Sequence, residues 1–243
     1  MNNPYLSVII PAYNEESRII KTLLDIDRYL SKQKYVYEII VISDGSTDKT
    51  AKVVQGFQNV IKNLKLIDNK ENHGKGYVVK QAMLESNGQY RLFMDADNAT
   101  TINHIEKMWP LVEKGYEVII GSRDDKDAKG AKQAVSQSFL KRLLGNMGNL
   151  LIQILVVWGV WDTQCGFKMF SAKATQDIFP RLTIDKWGFD IEILAVAQKL
   201  GYKIGKIPVD WINDPNSKVS WKGYLRTFGE VFQIKWNLIK NKY

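Results

Sequence analysis

Asp95 and Asp97 flank a single alanine directly after the apolar run YRLFM. Side chains two residues apart on an extended backbone point the same way, so two like charges would share one small volume. Such a pair suits a hard divalent cation, Mg2+ or Mn2+, which favours oxygen ligands. Mg2+ is commonly held by one or two carboxylates together with substrate phosphates, which makes a nucleoside diphosphate the natural second ligand. D-x-D alone is a weak signal. It gains weight from other polar clusters that also follow short apolar runs: PAYNEE (11–16), SDGSTD (43–48) and NHGKG (72–76). Any one of these reads equally well as turn or cap chemistry. Their recurrence at the ends of successive runs does not. NHGKGYVVK lacks the G-x-x-x-x-G-K-[ST] spacing, and the chain has no G-x-G-x-x-G, so neither a P-loop NTPase nor a dinucleotide fold is supported.

The elements that must carry these clusters are legible. LSVIIP (6–11), EIIVIS (38–43), LKLIDN (64–69), YRLFMD (90–95) and YEVIIGS (116–122) read as strands. Between them lie helical patterns: EESRIIKTLLDIDRYLSK, STDKTAKVVQGF with Ser46 or Asp48 as its N-cap, GKGYVVKQAMLES and TINHIEKMWPLVEKG. The apolar runs are nearly continuous and β-branched, as in strands covered on both faces. Strand–helix alternation then predicts an open α/β sheet, mainly parallel, with helices on both faces and ligands at the carboxyl ends of the strands. The second half is less regular. DDKDAKGAKQAVSQ (124–137) is expected to be a mobile polar loop, CGFKMFS (165–171) a strand, WGFDIEILAVAQKLG (187–201) a helix and YKIGKIPVDW (202–211) a strand.

The chain has 243 residues, 45% of them hydrophobic, enough for one large domain with a sizeable core. Domain boundaries are expected at 1–220, with a C-terminal amphipathic helix at 221–243. One cysteine, Cys165, excludes an internal disulfide framework and fits a reducing compartment. The opening residues show no secretory pattern. Lys plus Arg total 34 against 26 for Asp plus Glu, a formal charge of +8, which suggests an anionic partner. Charge is the sole pointer to nucleic acid, and no nucleic-acid motif accompanies it, so a nucleic-acid partner is not expected. Residues 143–161 carry no charge but include Asn146, Asn149, Gln153 and three glycines, which favours a buried or interfacial helix over a membrane span. Trp221, Tyr224, Phe228, Phe232, Trp236 and Ile239 form one apolar stripe beside basic residues, which fits either packing on the sheet or an interfacial helix.

Taken in order and spacing, SVIIPAYNEE, IIVISDGSTDKT, NHGKG and DADNAT resemble the family 2 inverting glycosyltransferases of GT-A fold. GSRDD (121–125), DTQCGFKMF (162–170), WGFDIEIL (187–194) and IPVDW…NSKVS (207–220) narrow the likeness to polyprenyl-phosphate sugar synthases, most of all the dolichyl-phosphate β-glucosyltransferases. That resemblance implies roles. Pro11, Tyr13, Asn14 and Glu15 would line the nucleoside pocket, Asp44 would meet the base, and Gly45 would allow close approach. Lys75 would lie near the nucleotide, Asp95 and Ala96 would contact ribose and phosphate, and Asp97 would bind the metal, with Asp95 and Asn98 as further metal ligands. Ser122 and Arg123 would face the acceptor phosphate together with Lys141 or Arg142. Gln164 would sit at the acceptor–donor junction, and Lys218 would close over the pyrophosphate. Asp190, with Glu192 nearby, would be either a base or an orienting group.

Two departures bear on the sugar. Mannosyl enzymes of this kind often carry a glutamine where Ala99 stands, and an arginine before the S-K pair, which INDPN (212–216) lacks. UDP-glucose is therefore the expected donor, with GDP-mannose, or a family 2 transferase acting on a sugar hydroxyl, as alternatives. The expected acceptor is a polyprenyl (dolichyl or undecaprenyl) phosphate, met by a peripheral protein on the cytoplasmic face of a membrane. His73 is expected to shape the nucleotide loop, and His104 and Cys165 to be structural.

Overall fold

The computed structural model describes residues 3–133, 148–211 and 221–243. Lys141, Arg142 and Lys218 lie outside these residues, as do parts of 124–137 and 143–161 and the whole of 212–220.

The apolar runs of the first half become β1 (Leu6–Ala12), β2 (Tyr37–Asp44), β3 (Leu64–Asn69), β4 (Tyr90–Met94) and β5 (Val118–Ser122). Helices α1 (Ile19–Leu30), α2 (Thr50–Phe57), α3 (Lys75–Glu85) and α4 (Trp109–Glu113) connect them. The second half adds β6 (Lys132–Gln133), α5 (148–155), β7 (Phe167–Ser171), α6 (Ala172–Ile178), α7 (Phe189–Lys199), β8 (Ile204–Pro208), β9 (Asp210–Trp211) and α8 (Trp221–Ile239). One seven-stranded sheet runs β3-β2-β1-β4-β7-β5-β8, and β6 and β9 form a separate parallel pair. Every neighbouring pair in the large sheet is parallel except those of β7, which is antiparallel to both β4 and β5. The sheet is thus mixed but mainly parallel, as expected. Buried side chains divide into two clusters: one holds Ile9, Ile40, Phe93, Phe170 and Phe189, the other Val8, Val41, Leu92, Phe167 and Met169. Adjacent residues of one strand fall in different clusters because side chains alternate across a sheet.

Local expectations needed correction in four places. α2 opens at Thr50 after Lys49, with no side-chain cap, while Asp48 accepts the Thr50 N–H at 2.9 Å from just outside. The helix expected over 101–115 is a 3-10 turn (Ile102–Lys107) followed by α4, because Pro110 has no N–H to continue one ladder. The strand expected over 202–211 is split into β8 and β9 around Val209. Finally, the polar loop after β5 is tied down over its described part, as the site shows.

Candidate active site

The carboxyl ends of β1, β2 and β4 carry the polar clusters, and backbone hydrogen bonds stitch them together. Asn14 sits in the left-handed region at φ 54°, and its Oδ1 accepts from the Thr47 N–H at 2.8 Å. The Glu15 N–H donates to Thr50 Oγ1 at 2.8 Å, while its carboxylate accepts from Arg18. Pro11 is buried within β1, and Tyr13 stands at the rim, 41% exposed. Asp44 is buried, and each of its carboxylate oxygens accepts one backbone N–H, from His73 at 2.8 Å and Gly74 at 2.9 Å. Gly45 has φ +65°, and a Cβ there would overlap the Glu71–Asn72 peptide. Asp44 and Gly45 thus hold the 71–74 loop against β2. His73 of this loop packs against Tyr77 of α3, with ring centroids 4.5 Å apart.

Asp95 and Asp97 follow β4 directly. Lys75, at the start of α3, donates to Asp95 Oδ1 at 2.6 Å, and its ammonium lies 5.7 Å from the Trp187 ring and 5.8 Å from the Phe189 ring. Burial works against the charge on Lys75, but Asp95 and Asp190 outweigh it and raise its pKa above the ordinary value. Asp97 goes the other way. Burial pushes its carboxyl above the usual carboxylate range, and the charge of Asp95 adds to the rise. Ala96 is buried and its carbonyl accepts from Thr22 Oγ1 at 2.6 Å. Asn98 has φ 56°; its Nδ2 donates to Asp25 of α1 at 2.7 Å, and its Oδ1 is buried without a hydrogen-bond partner. Ala99 donates its N–H to Asp97 Oδ1 at 3.0 Å.

This donor set fits a hard dication. Two oxygen anions stand together, and one of them is destabilised by the other's charge, which a cation would relieve. Among the described residues no group of three or more His, Cys, Asp or Glu side chains could hold a metal ion alone.

The turn from Asp162 to Gly166 joins the D-x-D segment to Arg123. The Asp95 N–H donates to the Gly166 carbonyl at 3.1 Å, and a Cβ on Gly166 would overlap the Asp95 carboxylate. Asp162 accepts three bonds from Arg123: backbone N–H at 2.8 Å, Nε at 2.8 Å and Nη2 at 2.7 Å. Burial opposes charge on both partners, but each outweighs it for the other: the guanidinium is held above its ordinary pKa and the carboxyl below. Arg123 also lies over the Trp211 ring at 5.3 Å. Beneath them Asp127 accepts from Ser122 Oγ at 2.9 Å, from the N–H groups of Trp161 and Asp162, and from Lys206 Nζ at 3.1 Å. Ser122 is fully buried, so it supports this loop from below. Gln164 is exposed on the turn.

Behind the turn lies a second ion pair. Lys168, in the middle of β7, is wholly buried and donates to Asp190 Oδ1 at 2.5 Å and to the Cys165 carbonyl at 2.6 Å. Burial pushes the Asp190 carboxyl up despite the ammonium groups of Lys168 and Lys75 nearby. Glu192 accepts from the N–H groups of Thr183 and Ile184 and from the Tyr243 hydroxyl, so it anchors the segment before α7 and the C-terminal residue. Cys165 is buried and its thiol is pushed up to about 12 by burial, which suits packing and not nucleophilic attack. His104 joins the Thr101 carbonyl to the Asp210 N–H, a structural role.

The structure therefore brings Lys75, Asp95, Asp97, Arg123 and Asp190 within reach of one another's charges, with Asp44 holding the loop that leads into Lys75. Asp127, Asp162 and Lys168 were not singled out from the sequence. A lysine inside the apolar run GFKMFS was the available signal for the last; Asp127 looked like any residue of a polar loop.

The model for "Glycosyl transferase family 2" matches residues 7–179. The chain is 40% identical over 233 residues to the dolichyl-phosphate beta-glucosyltransferase of Dictyostelium discoideum, covering 90% of this chain and 70% of that one. It is 33% identical to the protein of the same name from Homo sapiens, over 88% of this chain and 69% of that one. Among solved structures, it is similar to the mannosyl-3-phosphoglycerate synthase of Rubrobacter xylanophilus (TM-score 0.72, 16% identity, 98% of this chain and 75% of that one). It is also similar to the glucosyl-3-phosphoglycerate synthase of Mycobacterium tuberculosis in complex with Mn2+, UDP-glucose and phosphoglyceric acid (TM-score 0.69, 16% identity, 96% and 80%). At these identities the solved structures establish the fold alone, which is the GT-A fold.

Proposed function

The chain belongs to glycosyl transferase family 2, and from that premise we propose that it transfers glucose from UDP-glucose to a polyprenyl phosphate of the dolichyl type, with inversion. The observation that carries this reading is the joining of two charged centres by one turn. Asp95 accepts from Lys75 on one side of it, and Arg123 is clamped by Asp162 on the other. The first centre suits a nucleoside diphosphate, and the second suits an anionic acceptor. The relatives named above support the sugar and the lipid.

In this reading a phosphate oxygen of the acceptor attacks the anomeric carbon while the bond to the nucleoside diphosphate breaks on the opposite face. Asp95 and Asp97 would hold Mg2+ or Mn2+, which when bound supplies positive charge to the leaving diphosphate. Lys75 adds fixed positive charge beside Asp95, in a partly buried site where charge acts strongly. Arg123 orients the acceptor phosphate through the edge of its guanidinium that Asp162 leaves open. A phosphomonoester has a second pKa of about 6, so the nucleophile is mostly ionised at neutral pH and needs positioning more than deprotonation. Asp190, buried against Lys168, fits an orienting role better than that of a proton acceptor. The Asp44 carboxylate, Pro11, Tyr13, Asn14 and Glu15 form the wall on which the nucleoside would rest. Lys141 or Arg142 and Lys218 remain proposed contacts to the acceptor phosphate and the pyrophosphate.

Labelled UDP-glucose with Mn2+ and a short polyprenyl phosphate should give labelled lipid. Transfer from GDP-mannose instead, or transfer to a free oligosaccharide and not to the lipid, would sink the reading.

A lipid acceptor supports a peripheral protein at a membrane surface, and we propose the cytoplasmic face. Among the described residues no helix is long and apolar enough to cross one. α8 buries Val231, Ile234 and Asn237 against the domain yet exposes Phe228, Phe232, Trp236 and Ile239 on its other side. α5 and the turn after it expose Leu150, Ile154 and Trp158, the last 81%. Gly148 and Phe228 approach closely enough that a Cβ on the glycine would lie 3.6 Å from the ring, so the two patches adjoin. Lys240 covers the Trp236 ring at 5.0 Å, an aromatic–cation pairing that suits an anionic interface. Flotation with anionic liposomes at low salt should carry the protein upward. Replacing Phe232 and Trp236 together by serine should weaken that partition at least ~10-fold, since each buried side chain is worth roughly 1.5–3 kcal/mol. A native protein that stays in the soluble fraction excludes membrane contact by this face.

A further inference from the structure

Lys168 is fully buried in a strand where an apolar residue would be expected. Its register partners are Phe93 on β4 and Ile120 on β5, both buried, and its ammonium lies 5.4 Å from the Phe93 ring. A buried ion pair is seldom more stable than a well-packed apolar pair of the same volume. The lysine is therefore poorly explained by stability. What it does in space is specific. One ammonium binds Asp190 at the start of α7 and the carbonyl of Cys165 within the turn. In that turn the Gly166 carbonyl accepts the Asp95 N–H, and the Asp162 carboxylate accepts from Arg123. Two cation–carboxylate pairs, Lys75–Asp95 and Lys168–Asp190, thus flank the same turn.

We propose that Lys168 is a positioning residue for the transfer reaction: it locks Asp190 to the 162–166 turn, so that the donor-side carboxylates and Arg123 keep one relative placement. The proposal rests on the reading of this site as one of glycosyl transfer. It names a residue that touches neither donor nor acceptor and acts through Asp190 and Cys165. Its loss lowers turnover and leaves donor affinity in place, because the nucleoside wall from Pro11 to Gly45 belongs to other elements.

The test is a double-mutant cycle with Lys168→Met, Asp190→Asn and both together, each compared with Lys168→Arg. Donor turnover is read as transfer to polyprenyl phosphate, or as hydrolysis of UDP-glucose to water if the native protein transfers nothing to that lipid. The second case refutes the acceptor and still tests Lys168. The expected result is a fall in kcat of about 100-fold for either single variant, with the double no more than about threefold worse than the singles, because groups that act as a unit are not additive. UDP-glucose affinity by calorimetry should move less than about threefold, and Lys168→Arg should recover at least about tenfold of the loss. Turnover near the native level in folded Lys168→Met, or losses that multiply in the double variant, overturns the proposal. If Lys168→Met alone does not fold, the double variant, which leaves no charge buried, replaces it. Native-like turnover there reduces the pair to a structural one and overturns the proposal, while turnover equal to that of Asp190→Asn, with Lys168→Arg active, supports it.

Discussion

Asp97→Ala should abolish metal-dependent binding of the donor. In calorimetry with UDP-glucose and Mn2+, the native heat should vanish, and transfer should fall by about 10³-fold or more, as the loss of several kcal/mol of charge stabilisation implies. The size of the effect follows from how little else is there. Among the described residues no third acidic, histidine or cysteine side chain completes a metal cage around the pair. Lys75 already occupies one oxygen of Asp95. Folding should not account for the loss. A carboxyl whose pKa is raised by burial contributes nothing below its unfolded pKa and costs stability above it, so alanine should leave the melting temperature of the metal-free protein unchanged or slightly higher. The same shift sets the pH dependence. Metal binding needs the ionised form, and Asp97 takes up its proton at a higher pH than an ordinary aspartate. Donor affinity in Mn2+ should therefore begin to fall above the usual carboxylate range as pH is lowered. A variant that binds UDP-glucose with native affinity in Mn2+ would exclude Asp97 as a ligand. Asn98→Ala is the contrast: with its amide nitrogen taken by Asp25, it should alter turnover or donor preference and not abolish binding.

Arg123→Ala should separate the acceptor from the donor. We expect kcat/KM for polyprenyl phosphate to fall by about 10²–10³-fold, roughly 3–4 kcal/mol of lost positioning and charge. Donor affinity should stay native. Arg123→Lys should rescue little, because the two bonds from Nε and Nη2 to Asp162 need the planar fork, which an ammonium lacks. Removing the guanidinium leaves Asp162 buried without its partner, a change that costs on the order of 3–5 kcal/mol of stability. Arg123→Ala with Asp162→Asn removes that cost and should be the better-folded variant with the same defect. An unchanged acceptor dependence in that double variant would remove Arg123 from the site.

Most of the proposed donor side was legible in the sequence. Its clusters sit on local strand–turn–helix units, and local units leave local signals: apolar runs of strand length, then Asp, Asn, Ser and Gly. The proposed acceptor side was legible in part. Arg123 could be named, but the residue that clamps it, Asp162, lies on another segment, and the two meet only because β7 enters between β4 and β5. Asp127 was hidden by its surroundings, since DDKDAKG is polar throughout and nothing local marks one of its aspartates as the acceptor of bonds from Ser122, Trp161, Asp162 and Lys206. Lys168 was hidden by its isolation. A single lysine in an apolar strand reads as a break in pattern until the carboxylate opposite it is known. α2 and the 101–115 segment failed at their ends, where competing polar side chains and Pro110 decide the ladder.

The antiparallel entry of β7 also orders the assembly of the molecule. β3, β2, β1 and β4 are contiguous in the growing chain, so this half can pair as it leaves the ribosome. The outer edge of β4 has to wait for Phe167–Ser171, and until then it presents Leu92, Phe93 and Met94 on an unpaired strand. β5 waits for Lys168, Met169 and Phe170 of the same strand on one edge and for β8 on the other. A nascent chain stopped short of β7 therefore carries the open outer edge of β4 and both open edges of β5. The strand that follows the 162–166 turn is thus also the one that ends the exposure of the β4 edge to aggregation during synthesis.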